Sequence, residues 1–145
     1  MSAEVELRHV DVTEKITGSF YDVYNELGHG FLECVYEESL VIALHQSGIA
    51  ANRQIRLPVW FDGHKDGEFR ADLLVENCVP LELRSARSVD PAHEAQLLHY
   101  LKSTEVEVGM LLSFGVRAQF RSLLFDSERN KIRENPWKSV AGVPA

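Results

Sequence analysis

The chain has 145 residues, 45% of them hydrophobic and 26% charged, with a formal net charge of −7. That is one domain's length, and the composition excludes a largely disordered, collagen-like or low-complexity protein. No apolar run approaches the roughly 18 residues of a membrane-spanning helix, MSAEVELRHVDV lacks an apolar signal core, and Cys34 and Cys78 alone make neither a disulfide framework nor a multi-cysteine zinc site, so a reducing cytoplasm is the expected setting.

The spacing predicts a first helix over 11–27, with Ile16, Phe20, Val23, Tyr24 and Leu27 on one face. Asp11 and Glu14 read as a capping box, and Gly28 and Gly30 as the stop. A second helix fits 33–46, where Val35, Tyr36, Leu40, Ala43 and Leu44 make the apolar side and Gly48 the end. The period then changes. Ile55, Leu57, Val59 and Phe61 alternate with polar residues and Pro58, which predicts an edge strand. DGHKDG, 62–67, reads as a turn. Strands follow over 69–75 and 79–83, joined by Glu76, Asn77 and Cys78. Pro91 opens a third helix to about Lys102, 106–114 reads as a buried strand, and 117–125 as a further strand. Residues 1–10 read as an N-terminal extension, 11–125 as the domain, and 126–145 as an extended or frayed tail. The order ααβββαββ predicts an α/β fold with a mixed central sheet flanked by helices.

Residues 69–84, FRADLLVENCVPLELR, place Asp72 on one strand and Glu82 on the next. Adjacent strands lie about 5 Å apart, so the two carboxylates can meet at the sheet. Glu82 points away from Leu81 and Leu83, and Arg84 shares its face. One reading is an exposed Glu82–Arg84 ion pair on a solvated face. The other is a divalent metal site, because a carboxylate on an apolar strand is costly unless something compensates it.

Three blocks resemble the GxxExxY family, a small bacterial branch of the PD-(D/E)XK nuclease superfamily. Gly30, Glu33 and Tyr36 stand in LGHGFLECVYEESL, the strand hairpin is FRADLLVENCVPLELR, and the helix after it is HEAQLLHYL. The resemblance covers about residues 11–125. It implies a restriction-endonuclease-like core and a Mg²⁺-dependent (or Mn²⁺-dependent) nuclease acting on DNA or RNA. Asp72, Glu82 and the backbone carbonyl of Leu83 would be metal ligands, with Glu33 an auxiliary acid. Tyr36, Gln96 and Tyr100 would line the substrate. In the superfamily a lysine two residues after the second acid positions or activates the attacking water. Here that residue is Arg84, which keeps the charge but cannot serve as a base. Lys102 is the nearest other candidate for that role. The departure leaves a second reading: a catalytically inactive nuclease-fold module that binds nucleic acid or a protein partner.

The remaining residues are open to two readings each. Glu33 also suits a helix start, where acids are favoured. Tyr36 also reads as a packing residue whose hydroxyl bonds a neighbouring acid. His93 and His99 flank Gln96. Residues 115–145 carry a net +3 against −10 for the rest of the chain. Arg117, Arg121, Arg129, Lys131 and Arg133 therefore make either a nucleic-acid strip or a solvated face. Phe120, Leu123 and Leu124 among them suit packing or a homodimer interface, and Trp137 suits docking on the domain or a partner. No membrane partner is expected.

Overall fold

The computed structural model describes residues 3–85, 92–103, 108–126, 131–134 and 138–139. Helix α1 (Ala3–Leu27) starts well before Asp11. Residues 3–10 contain neither glycine nor proline, so nothing halts the helix there. Asp11 is therefore not a cap; its carboxylate faces Lys15 one turn on, at 3.9 Å. Gly28 ends the helix at φ 68°, its amide bonding the Tyr24 carbonyl at 2.8 Å. Helix α2 (Glu33–Gln46) spans the residues the periodicity predicts, between extended Leu32 and Ser47.

Strands β1 (Ala51–Phe61) and β2 (His64–Val75) form a long antiparallel hairpin. Its turn is only Asp62 and Gly63, both at positive φ. An Asp-Gly pair suits that two-residue geometry. The rest of DGHKDG is strand, polar because this end of the hairpin is exposed. A second tight turn at Glu76 and Asn77 leads into β3 (Val79–Ser85). Helix α3 (Ala92–Ser103) then crosses to β4 (Val108–Phe114), which runs parallel to β3. Strand β5 (Ala118–Asp126) is antiparallel to β4. The expected frayed tail contains two short strands, β6 (Lys131–Glu134) and β7 (Lys138–Ser139), both paired with β5. The sheet order is β1-β2-β3-β4-β5-β6, with β7 also beside β5. Pro58, which cannot donate to a ladder, lies on the edge strand as expected.

The helices cover both faces. On one, Ile16 and Phe20 of α1 and Tyr36, Leu40 and Leu44 of α2 pack on Leu81, Leu83, Met110, Leu112 and Phe114. On the other, Leu97, Tyr100 and Leu101 of α3 pack on Phe69, Ala71, Leu111 and Leu123. Each buried Leu or Phe contributes about 1.5–3 kcal/mol. Gly109 lets α3 come close: a Cβ there would stand 2.9 Å from Leu97 Cδ1. Phe120 and Leu124 pack on the first core and Leu123 is buried in the second, so these apolar residues of 117–125 are used inside the domain. No described helix is long and apolar enough to cross a membrane. A mixed sheet with two helices on one face and one on the other is a restriction-endonuclease-like α/β architecture.

Candidate functional site

The pairing of β2 with β3 runs Val75↔Val79, Leu74↔Pro80, Leu73↔Leu81 and then stops. One more step would set Asp72 opposite Glu82. Instead, the Leu83 amide donates to Asp72 Oδ2 at 2.8 Å. On its other edge β2 pairs with β1 through Leu73↔Arg53 and Ala71↔Ile55, skipping Asp72 and Gln54. Gln54 adopts φ 52°, which takes it out of the ladder. Residues 71 and 73 of a regular strand share a face. Here Ala71 belongs to the α3 core and Leu73 to the α1–α2 core. The hairpin thus turns over at Asp72, the point where both ladders are interrupted.

Glu82 is 2% exposed, which removes the reading of a solvated Glu82–Arg84 surface pair. Its pKa is pushed up to about 9. Burial is the largest cause; the charge of Asp72, a hydrogen bond with the Asp72 carboxylate that uses Glu82's proton, and the charge of Glu33 add to it, while an Asp72 backbone hydrogen bond opposes them. Asp72 and Glu82 therefore hold a proton between them at neutral pH. Arg84 is half-buried on Glu82's side of the sheet. The register extends that surface across the sheet, Glu82↔Leu111↔Arg121 in one row and Arg84↔Ser113↔Gln119 in the next. Half-buried Arg121 thus lies on the face of the acids, whereas Arg117 is exposed.

Helix α2 brings Glu33 to the pair from its first turn, half-buried and near enough for its charge to act on Glu82. Tyr36 is fully buried, stacked on Phe114 with ring centroids 4.1 Å apart. Its hydroxyl bonds backbone rather than an acid, donating to the Gly28 carbonyl at 2.8 Å and accepting from the Phe31 amide at 3.2 Å. Tyr36 thus closes the loop that delivers Glu33. Glu37, one turn after Glu33, is the residue the sequence reading misses. It is 4% exposed and accepts from Arg53 Nε at 3.2 Å and Gln54 Nε2 at 2.9 Å. Its signal in the sequence is the four-residue spacing from Glu33 on one helix face.

Gln96 and Tyr100 share a side of α3 but have different environments. Tyr100 is buried and stacks on Phe69 at 5.1 Å. Gln96 is exposed and, with Ala95 and His99, faces Val59, Gly67 and Phe69 across a cleft of about 420 Å³. The structure sets Gln96 at this cleft, beside residues 67–69 of β2, which precede Asp72 on the same strand. Cys34 is exposed and Cys78 half-buried, both as thiols. Pro91, Arg129 and Trp137, and the side chains of His93, Lys102, Lys131 and Arg133, lie outside the described residues.

Among the described residues, no group of three or more His, Cys, Asp and Glu side chains is arranged to hold a metal ion. The donor chemistry nevertheless fits a hard cation: a buried and a half-buried carboxyl share a proton, the charge of a third acid reaches them, and a divalent ion can replace that proton. Residues 10–123 match the family model of the PD-(D/E)XK nuclease superfamily. No curated protein and no solved structure matches the chain. That match covers most of the chain, and the mixed sheet with helices on both faces agrees with it: the chain belongs to the PD-(D/E)XK nuclease superfamily.

Proposed function

We propose that this chain is a divalent-metal-dependent nuclease that hydrolyses phosphodiester bonds in DNA or RNA, and that it belongs to the GxxExxY branch of its superfamily. The observation that carries this reading is the pair of half-buried Asp72 and buried Glu82 at the break between β2 and β3, with the charge of Glu33 acting on Glu82. Asp72, Glu82 and the Leu83 carbonyl would hold Mg²⁺ or Mn²⁺, and Glu33 would complete the acidic surround. Bound there, the ion would lower the pKa of a water and offset charge on the phosphate oxygens.

The residues of the chain divide the remaining work. Asp72 is oriented by the Leu83 amide, so its carboxylate is held before any ligand arrives. Arg84 stands on Glu82's face and donates to the scissile phosphate. Its guanidinium stays protonated, so it stabilises charge and takes no proton from water. Glu33, whose charge reaches Glu82, would be the side chain placed to take a proton from the water. Gln96 meets the substrate at the cleft beside α3.

Arg84 in the lysine's place favours a second reading, an inactive module that binds nucleic acid or a protein partner. A nuclease assay separates the two. Labelled single- and double-stranded DNA and RNA are incubated with Mg²⁺ or Mn²⁺ and the wild type, Glu82→Ala or Arg84→Lys. Metal-dependent cutting by the wild type that disappears in Glu82→Ala supports the nuclease. Silence from the wild type and from Arg84→Lys contradicts it and leaves the binding module.

A further inference from the structure

Gln54 is held in a conformation that glutamine rarely adopts, and it is held from outside its own strand. Its φ of 52° lies in the left-handed region, where a non-glycine residue persists only when its surroundings impose it. The imposing group is on α2. Glu37 takes the Gln54 side-chain amide at 2.9 Å and the Arg53 guanidinium at 3.2 Å, both on Oε1. The carboxylate is buried while Arg53 remains 42% exposed, so the helix reaches into the strand rather than the strand reaching out to water. A buried carboxylate must be compensated, and here its compensation is tied to two consecutive residues of β1.

The place of this clamp gives it a meaning. Gln54 occupies a skipped step of the β1–β2 register, separate from the bulge between Val59 and Trp60, and the residue across from it is Asp72. On either side of that step the pairing resumes without a change of register, Arg53↔Leu73 and Ile55↔Ala71. At the same step the hairpin changes which core its odd-numbered residues enter, Leu73 to the α1–α2 side and Ala71 to the α3 side. Asp72 is then left to make its side-chain bond to the Leu83 amide on β3. Helix α2 thus acts on the acid site twice, one turn apart: through Glu33, whose charge reaches Glu82, and through Glu37, which bonds the strand opposite Asp72.

We propose that Glu37 is a positioning residue of the acid site: by clamping Arg53 and Gln54 it sets the kink in β1 that turns β2 over and aims Asp72 at the Leu83 amide beside Glu82. This rests on the reading of Asp72 and Glu82 as the functional pair, although the clamp itself is independent of any metal.

The test exploits the left-handed conformation at position 54. Glycine reaches that conformation without a side-chain penalty. If Glu37 acts by imposing it, Gln54→Gly makes Glu37 largely dispensable. Amide hydrogen exchange is followed by NMR in the metal-free wild type, Glu37→Gln, Gln54→Gly and the double variant. In Glu37→Gln the Leu83 amide is expected to exchange about tenfold faster, as for loss of one charge-assisted bond, while the Leu81 and Leu112 amides keep their rates. In the double variant Leu83 is expected to recover to within about threefold of Gln54→Gly alone. An unchanged Leu83 rate in Glu37→Gln overturns the proposal. So does an equal acceleration of all three amides, which marks a merely stabilising contact, or a double variant as fast as Glu37→Gln. Calorimetry of the wild type with Mn²⁺ is run beside it. Absence of metal binding there counts against the nuclease reading and leaves the exchange result to decide the role of Glu37.

Discussion

The Leu83 amide points at Asp72 Oδ2, 2.8 Å away, where a regular antiparallel ladder would have paired Asp72 with Glu82. One side-chain bond replaces the strand pairing at this step, and it leaves the half-buried Asp72 carboxyl together with the buried one of Glu82.

Metal-free protein should lose stability as pH rises. Glu82 holds its proton up to about pH 9 in the fold, against an ordinary value of 4.5. Below about pH 4.5 the carboxyl is protonated in both states, and its favourable contribution to the fold is complete. Between the two values the unfolded chain sheds the proton while the fold retains it, so stability falls, and above 9 the loss is complete. Thermal melts from pH 5 to 9.5 should show a declining midpoint. Glu82→Gln, which cannot ionise, should flatten the decline and raise the midpoint at pH 8. An equally steep decline in that variant would assign the effect to other groups.

Tyr36→Phe should cost about 1–2 kcal/mol, because it removes a hydroxyl that satisfies the Gly28 carbonyl and the Phe31 amide while keeping the ring on Phe114. Tyr36→Ala also empties a fully buried site and should cost about 3–5 kcal/mol. Urea denaturation measures both. A difference between the two below about 1 kcal/mol would show that the stacked ring contributes little.

Gly109→Ala should destabilise by about 1–3 kcal/mol, since the new methyl would press on Leu97 from 2.9 Å and push α3 off the sheet. The same denaturation experiment reads it, and a neutral result would mean that Leu97 repacks.

Arg84→Lys should raise the hydrolysis rate with Mg²⁺ by about tenfold or more, because an ammonium can meet the attacking water as well as the phosphate. Initial rates on a labelled duplex and on a single strand measure this. A fall in rate would mean that the forked guanidinium is what the site uses.

Much of this was legible in the sequence where glycines and period agreed. Gly28, Gly30 and Gly48 bracket α2, so its span is the predicted one. Asp72 and Glu82 stand on adjacent strands because Glu76 and Asn77 make the tight turn between them. The start of α1 was hidden because Asp11 looks like a cap, and only the lack of a breaker before it shows that the helix continues. The strand inside DGHKDG was hidden because an exposed hairpin end keeps polar residues that also suit loops. Glu37 was hidden for a different reason. Beside Glu38 it looks like a solvated helix surface, and its burial depends on Arg53 and Gln54 arriving from a distant strand.

The most direct test of the shared-proton metal site is a calorimetric titration of the protein with Mn²⁺ at pH 7, in two buffers of different ionisation enthalpy. If Asp72 and Glu82 hold a proton that the ion replaces, binding releases about one proton per ion, and Glu82→Gln abolishes that release. Binding without proton release, or no binding at all, would contradict the account.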